Sequence, residues 1–153
     1  MRGNRTARHI LVTVARRCER MLGSDLTVEL LAPSPRVTTD IDRARQILID
    51  LAGNAMKFTE KGGVRISVAA SNEVRIAVID SGIGIPVAQQ RNLFKPFAKV
   101  GTGLTRRHGG TGLGLYISSQ LAKLLGGRIE LSSQPDGGST FTLVLPSQPL
   151  TAG

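Results

Sequence analysis

The segment Gly109-Gly110-Thr111-Gly112-Leu113-Gly114-Leu115 constrains this chain more than any other, because it sets four glycines within six residues directly before an amphipathic run. Lacking a Cβ, glycine lets backbone come close to a ligand. The run from Leu115 to about Leu125 reads as a helix, and Gly126-Gly127 reads as its stop. Leu113, Ile117, Leu121, Leu124 and Leu125 are expected to form its core face by their helical spacing. A glycine loop feeding a helix N-terminus presents free N–H groups and a positive dipole end, which suits an anion and above all phosphate. A flexible connector would use the same residues, so the rest of the chain has to decide.

A length of 153 residues predicts one domain, 1–153, with a core over about 9–146 flanked by a flexible basic N-terminus and a frayed C-terminal tail. Aromatic residues are only 3%, so Leu, Ile and Val must fill the core. Six arginines lie in the first twenty residues against the single acid Glu19, supplying +5 of a net charge of +9. Nucleic acid is not expected as the partner of this arm, because no stacking aromatics accompany it. A solvated helix face or a docking surface fits it better. Cys18 is the only cysteine, so no internal disulfide can form, which suits a reducing cytoplasm. No apolar run approaches the roughly 20 residues of a membrane span, and no signal-peptide core is seen. The expected location is the cytoplasm, either as a free protein or as the cytoplasmic part of a membrane-bound receptor.

Along the chain, residues 9–22 read as a helix, and Leu26, Val28 and Leu30 as a short strand. Pro33 and Pro35 mark a loop, and Thr38-Thr39-Asp40 offers caps for a second helix. That helix carries Ile41, Ala44, Leu48, Leu51, Ala55 and Phe58 on one stripe and Asp50, Asn54 and Lys57 on another. At about 100° per residue the two stripes lie roughly 110° apart. Taken alone, the second stripe is better explained as a solvated polar face with an i,i+4 pattern.

Val64, Ile66 and Val68, then Val74, Ile76 and Val78, read as an antiparallel hairpin turning at Ser71-Asn72. Asp80 shares the parity of the second set, which aims its carboxylate at the buried face. Such burial is costly unless something bonds to it. A capping role at the strand end is the alternative. Ser81-Gly82-Ile83-Gly84-Ile85-Pro86 opens the backbone beside it. Residues 87–93 suggest a short helix, and Leu93-Phe94-Lys95-Pro96-Phe97 an apolar hinge. From Ala98 to His108 no periodicity is visible, as in loops that are functional or disordered. His9 and His108 have no metal-ligand spacing. Ile129 and Leu131 start a strand, and Phe141, Leu143 and Leu145 line its hairpin partner.

These segments together resemble the ATP-binding catalytic domain of the sensor histidine kinases. Asn54-Ala55-Met56-Lys57-Phe58-Thr59 is similar to their N box, Asp80-Ser81-Gly82-Ile83-Gly84 to the first glycine box, and Phe94-Lys95-Pro96-Phe97 to the F box. Gly110-Thr111-Gly112-Leu113-Gly114-Leu115 is similar to the second glycine box, and Gly138-Ser139-Thr140-Phe141 to the last motif. Order and spacing agree over residues 9–146, which is far more specific than any one glycine pattern. The resemblance implies the Bergerat fold shared with gyrase-type ATPases and Hsp90 chaperones, an α/β two-layer sandwich in which a mixed sheet carries helices on one face.

It also implies roles. The Asn54 amide would hold Mg²⁺ with waters and phosphate oxygens, Lys57 would reach a phosphate, and Phe58 would lie against the base. Asp80 would accept the 6-amino group of adenine, beside Gly82, Gly84, Ile85 and Thr140. Gly110 to Leu115, with Gly112, Leu113 and Gly114 foremost, would present N–H groups to the phosphates, next to Thr111. Residues 98–110 would form an ATP lid whose Lys99, Arg106 and Arg107 neutralise the transferring phosphoryl group.

Two features depart from the pattern. Asp50 stands where many members have the first N-box asparagine, and it is expected to polarise or orient a group near the γ-phosphate. No histidine followed by an acid precedes residue 26 in a helical hairpin. The expected function is therefore phosphoryl transfer from Mg-ATP to a histidine on a separate dimerisation and phosphoacceptor hairpin, with a response regulator or receiver domain downstream. A stand-alone ATPase or serine kinase of the superfamily, or an interaction module without turnover, remains an alternative.

Overall fold

The computed structural model describes residues 2–6, 26–30, 36–57, 64–70, 72–90, 92–96, 114–133 and 137–146. In chain order the elements are β1 (Arg2–Thr6), β2 (Leu26–Leu30), β3 (Arg36–Asp40), α1 (Ile41–Lys57), β4 (Val64–Ala70), β5 (Glu73–Asp80), α2 (Val87–Gln90), α3 (Gly114–Leu124), β6 (Arg128–Ser133) and β7 (Ser139–Pro146). Strands β2-β4-β5-β7-β6 form one five-stranded sheet, parallel at β2-β4 and antiparallel elsewhere. Helices α1 and α3 cover one face of it, so the expected two-layer sandwich with a mixed sheet is what the chain adopts. Among the described residues no helix is long and apolar enough to cross a membrane.

The covered face is built in rows. Val68, Ile76, Leu143 and Ile129 align across four strands, and Ile66, Val78, Phe141 and Leu131 form the next row. Alternation gives these residues the buried side, and Ile66, Val78, Ile76 and Leu143 are 0% exposed. The following row is Val64, Asp80, Ser139 and Ser133. An apolar face thus ends in a polar edge. From above, Ala44, Ile47, Leu48, Leu51, Ala52 and Ala55 of α1 seal the core.

Helix α1 starts where the caps predict. Asp40 Oδ1 accepts the Arg43 N–H at 3.2 Å, and that bond holds its carboxyl below the usual value. Helix α3 closes with the Gly127 N–H on the Ala122 carbonyl at 2.9 Å and the Gly126 N–H on that of Lys123 at 3.0 Å, a Schellman end.

Three expectations need correction. Arg2–Thr6 is not a loose basic arm: it pairs antiparallel with β3 in a second, two-stranded sheet. Backbone bonding makes that pair, so no apolar alternation announced either strand. The buried face of α3 is also different, because Ile117 and Leu124 are 43% and 62% exposed while Ser118 and Ala122 are buried. Leu115, Leu121 and Leu125 pack partly against the core beside them. Small residues on this stripe let α3 lie close to α1, and a count of large apolar side chains misses that. Finally, the short helix spans Val87–Gln90 and gives way to turns before Leu93. The expected helix over 9–22 lies outside the described residues.

Candidate functional site

Asp80 ends β5 with 7% of its surface exposed. Its Oδ1 accepts the Gly82 N–H at 2.9 Å and the Ser139 N–H at 3.2 Å. The first of these is the local turn that a strand-end aspartate makes. The second ties the carboxylate to the start of β7. Burial pushes the Asp80 carboxyl above its ordinary value, and the two N–H groups oppose that shift. Among the described residues Oδ2 takes no hydrogen bond. Among these residues the burial cost is therefore only half answered.

A serine-centred network holds this edge in place. Ser133 Oγ accepts the Ile85 N–H at 2.7 Å, contacts the Gly138 carbonyl oxygen at 3.1 Å and lies 2.8 Å from Ser139 Oγ. A hydroxyl has one proton to give. Ser133 can donate it to Gly138 while accepting from Ile85 and Ser139, which satisfies every partner. Gln90 Nε2 donates to the carbonyls of Ile85 at 2.8 Å and Ser133 at 3.1 Å, stapling the segment after β5 to the end of β6. Gly138 has φ +79, and a Cβ on it would sit 2.2 Å from the Asp80 carbonyl oxygen, so only glycine allows β7 to begin here.

Phe94 meets Phe141 edge to face, with centroids 6.2 Å apart. Beside it Leu93 is buried, so this turn is anchored on the core.

The second half of the site lies between α1 and α3. Asp50 and Asn54 are half-buried on α1, one turn apart. Ser118 of α3 is 2% exposed, and its Oγ donates to Asp50 Oδ2 at 2.8 Å. A Cβ on Gly114 would fall 2.8 Å from Asp50 Oδ1, so the first residue of α3 rests against that carboxylate.

The sequence-predicted residues are thus brought into two groups: Asp80 with Gly82, Gly84 and Ile85, and Asp50 with Asn54 and Gly114. Gly84 has φ 74, and Ile85 is 8% exposed and part of the core. Thr140 pairs with Ile79 and, by alternation, lies on the sheet face opposite Asp80. Ser139 holds the place beside the carboxylate instead, a correction by one residue. Lys57 ends α1, with its side chain outside the described atoms. Phe58, Lys99, Arg106, Arg107, Gly110, Thr111, Gly112 and Leu113 lie outside the described residues. Sequence reasoning missed Ser118, Ser133, Ser139 and Gln90. A helical offset of four from Gly114 would have pointed to Ser118; nothing local points to Gln90.

The donor set bears on what can bind. Among the described residues no cluster of three His, Cys, Asp or Glu side chains could cage a metal. Oxygen donors at Asn54 and Asp50 suit a hard ion that keeps waters and takes phosphate oxygens, which is how Mg²⁺ is usually held. A half-satisfied buried carboxylate suits a ligand that brings an N–H donor.

Comparison with known proteins follows the same lines. Residues 39–149 match the family described as histidine kinase-, DNA gyrase B-, and HSP90-like ATPase. The chain is 44% identical over 126 residues to the signal transduction histidine-protein kinase BarA of Escherichia coli (strain K12), covering 78% of this chain and 14% of that protein. It is 50% identical over 103 residues to the sensor histidine kinase AruS of Pseudomonas aeruginosa, covering 63% of this chain and 10% of that one. The crystal structure of full-length ShkA in complex with AMPPNP superposes with a TM-score of 0.85 at 29% identity, over 99% of this chain and 32% of that chain. The chain therefore spans only a small part of the curated relatives it matches.

Proposed function

The chain belongs to the histidine kinase-, DNA gyrase B-, and HSP90-like ATPase family, and from that premise we propose that it binds Mg-ATP and passes the γ-phosphoryl group to a histidine on a separate dimerisation and phosphoacceptor hairpin. In two-component signalling a response regulator or receiver domain would take the group onward. The observation that carries the reading is Asp80: a buried carboxylate, fixed through Oδ1 by two backbone N–H groups, at the polar edge of an otherwise apolar sheet face.

Asp80 accepts the 6-amino group of adenine on its other oxygen and so offsets its burial. Guanine offers a carbonyl there, and acceptor would face acceptor. The Asn54 amide oxygen holds Mg²⁺, an ion that draws phosphate charge toward itself when bound. Lys57 reaches a phosphate from the end of α1. Gly112, Leu113 and Gly114 would offer backbone N–H groups to the phosphates, beside the positive end of α3. Asp50 orients a group beside the γ-phosphate. Lys99, Arg106 and Arg107 of the lid segment neutralise developing charge.

The test mixes this chain with a histidine-bearing hairpin domain and γ-labelled ATP. Acid-labile label on the hairpin is expected. Asn54→Ala should abolish the transfer, with thermal melting unchanged. Wild-type transfer by that variant would remove Asn54 from the metal site, and acid-stable label would favour a serine kinase instead.

A further inference from the structure

We propose that Ser118 is a positioning residue for phosphoryl transfer: its buried hydroxyl, on the helix that follows the glycine loop, fixes the Asp50 carboxylate on the helix that carries Asn54. The inference rests on the reading of Asp50 given above and adds the residue through which that aspartate is aimed.

The geometry is specific. Ser118 is 2% exposed on a stripe that otherwise meets the core through Leu115, Leu121, Ala122 and Leu125. A hydroxyl there needs a partner, since burying one unpaired costs free energy. Its partner is Asp50 Oδ2 at 2.8 Å, a charge-assisted bond between residues 68 apart in sequence. With Oδ2 held, the carboxylate plane is set and Oδ1 is turned toward Gly114, 2.8 Å from where a Cβ there would lie. Gly114 and Ser118 are one helical turn apart, so they present one face of α3 to Asp50.

A carboxylate on α1 is thereby locked to the first turn of α3, where the glycine motif ends. Asn54 lies one turn along α1 from the same carboxylate. The contact therefore fixes the distance between the metal-bearing stripe and the first turn of α3. Catalytic geometry tolerates little slack, and a small misplacement from a residue outside the chemistry lowers turnover rather than binding. Asp80 is held by Gly82 and Ser139 and not by Ser118, so base recognition does not pass through this hydroxyl.

Removing one charge-assisted bond is expected to slow transfer on the order of tenfold. The experiment compares Ser118→Ala, Ser118→Thr, Asp50→Ala and the Ser118→Ala/Asp50→Ala pair in the intact protein. Transfer of γ-labelled phosphate is measured, and affinity by displacement of a fluorescent ATP analogue. Ser118→Ala should transfer about tenfold more slowly while ATP affinity changes by less than about threefold. Ser118→Thr keeps the hydroxyl and should recover most of the rate. The double variant should be no slower than Asp50→Ala alone. Should the alanine variant fail to fold, Ser118→Cys fills the same space with a weak donor and should show the same split.

Wild-type transfer by Ser118→Ala overturns the proposal, and so does a loss of affinity equal to the loss of rate. Independent losses that multiply in the double variant also overturn it. If Asp50→Ala is slow while Ser118→Ala is not, only the Ser118 assignment falls. If Asp50→Ala transfers at the wild-type rate, the reading of Asp50 fails first.

Discussion

On the helix-covered face of the sheet, Asp80 is 7% exposed and its carboxyl is pushed above the ordinary value by burial. On the other face, Glu130 is held below its ordinary value, first by the Arg75 guanidinium and then by Arg128. Glu130 belongs to a closed ring of charges. It pairs with Arg75 and, at 2.8 Å, with Arg128 Nε, while Glu73 accepts from Arg128 Nη2 at 3.1 Å and faces Arg75 Nη1 at 4.0 Å. Arg75 and Arg128 flank Val144 in the register, and their stems account for its 1% exposure on this open face. One face completes its electrostatics from within the chain. The other keeps an acceptor oxygen that takes no hydrogen bond among the described residues. That contrast marks where a ligand belongs more sharply than conformation alone does.

The largest break in the comparison should come from Asp80→Asn. With the amide oxygen kept on the Gly82 and Ser139 N–H groups, the amide N–H₂ would face the adenine 6-amino donor. A buried polar group left unpaired costs about 1–3 kcal/mol, so ATP affinity should fall by roughly fivefold to a hundredfold. Preference for ATP over GTP should narrow, because an amide can donate to the guanine carbonyl. Competition of both nucleotides against a fluorescent ATP analogue measures this, and equal affinities in the wild type would take Asp80 out of base recognition. The same substitution should raise the melting temperature of the unliganded protein at neutral pH. With a raised folded value, the Asp80 carboxyl binds its proton more readily folded than unfolded. Its unfavourable contribution is absent below the ordinary value of 3.8 and grows as pH rises through the folded value. The stability gain of the variant should therefore shrink on acidification.

Much of this face could be read before any coordinates. Alternation through Val74, Ile76 and Val78 was enough to bury Asp80, because a strand has only two sides. Capping residues before Ile41 placed α1. The stripe Asp50, Asn54, Lys57 stood out because one helix cannot use two stripes for the same core. What escaped was long-range and small. Ser118 bonds to a residue 68 positions away, which no local pattern announces. Ser139 was passed over for Thr140 because the register of β7 on β5, not β7 itself, decides which of the two faces Asp80. Strand β1 carries Arg2 and Arg5, whose charges drew attention away from backbone pairing.

A smaller effect should follow from Gly138→Ala, which tests whether the Asp80 edge is set by the chain rather than by ligand. The residue has φ +79, and an added Cβ would lie 2.2 Å from the Asp80 carbonyl oxygen. Left-handed backbone in a non-glycine residue costs about 1–3 kcal/mol. Relief of the overlap has to come from parting β5 and β7 at this end. Urea denaturation should show a loss of at least this size, and ATP affinity should fall with it because Ser139 moves off Asp80. Unchanged affinity in a destabilised variant would mean that the carboxylate is aimed without help from β7.

The smallest effect should lie on the outer face, and its sign differs from that of Asp80. Glu130→Gln opens the ring at the residue both arginines share. Its side chain is 39% exposed and those of Arg75 and Arg128 are 41% and 52% exposed, so solvent screens every pair and the change in melting temperature at neutral pH should be slight. The pH dependence is more telling than the size. Glu130 has a folded value below its ordinary 4.5, so its contribution is fully present above that value and is lost as pH falls through the folded one. Wild type and variant should thus differ at neutral pH and converge in acid, and added salt should narrow the gap at neutral pH. ATP affinity should be the same in both, since the ring lies on the opposite face of the sheet and neither Arg75 nor Arg128 shares a face with Asp80. A stability gap that persists in acid would assign the effect to packing over Val144 rather than to charge. A change in ATP affinity would show that the two faces are coupled through the sheet, and their contrast would no longer be one of independent surfaces.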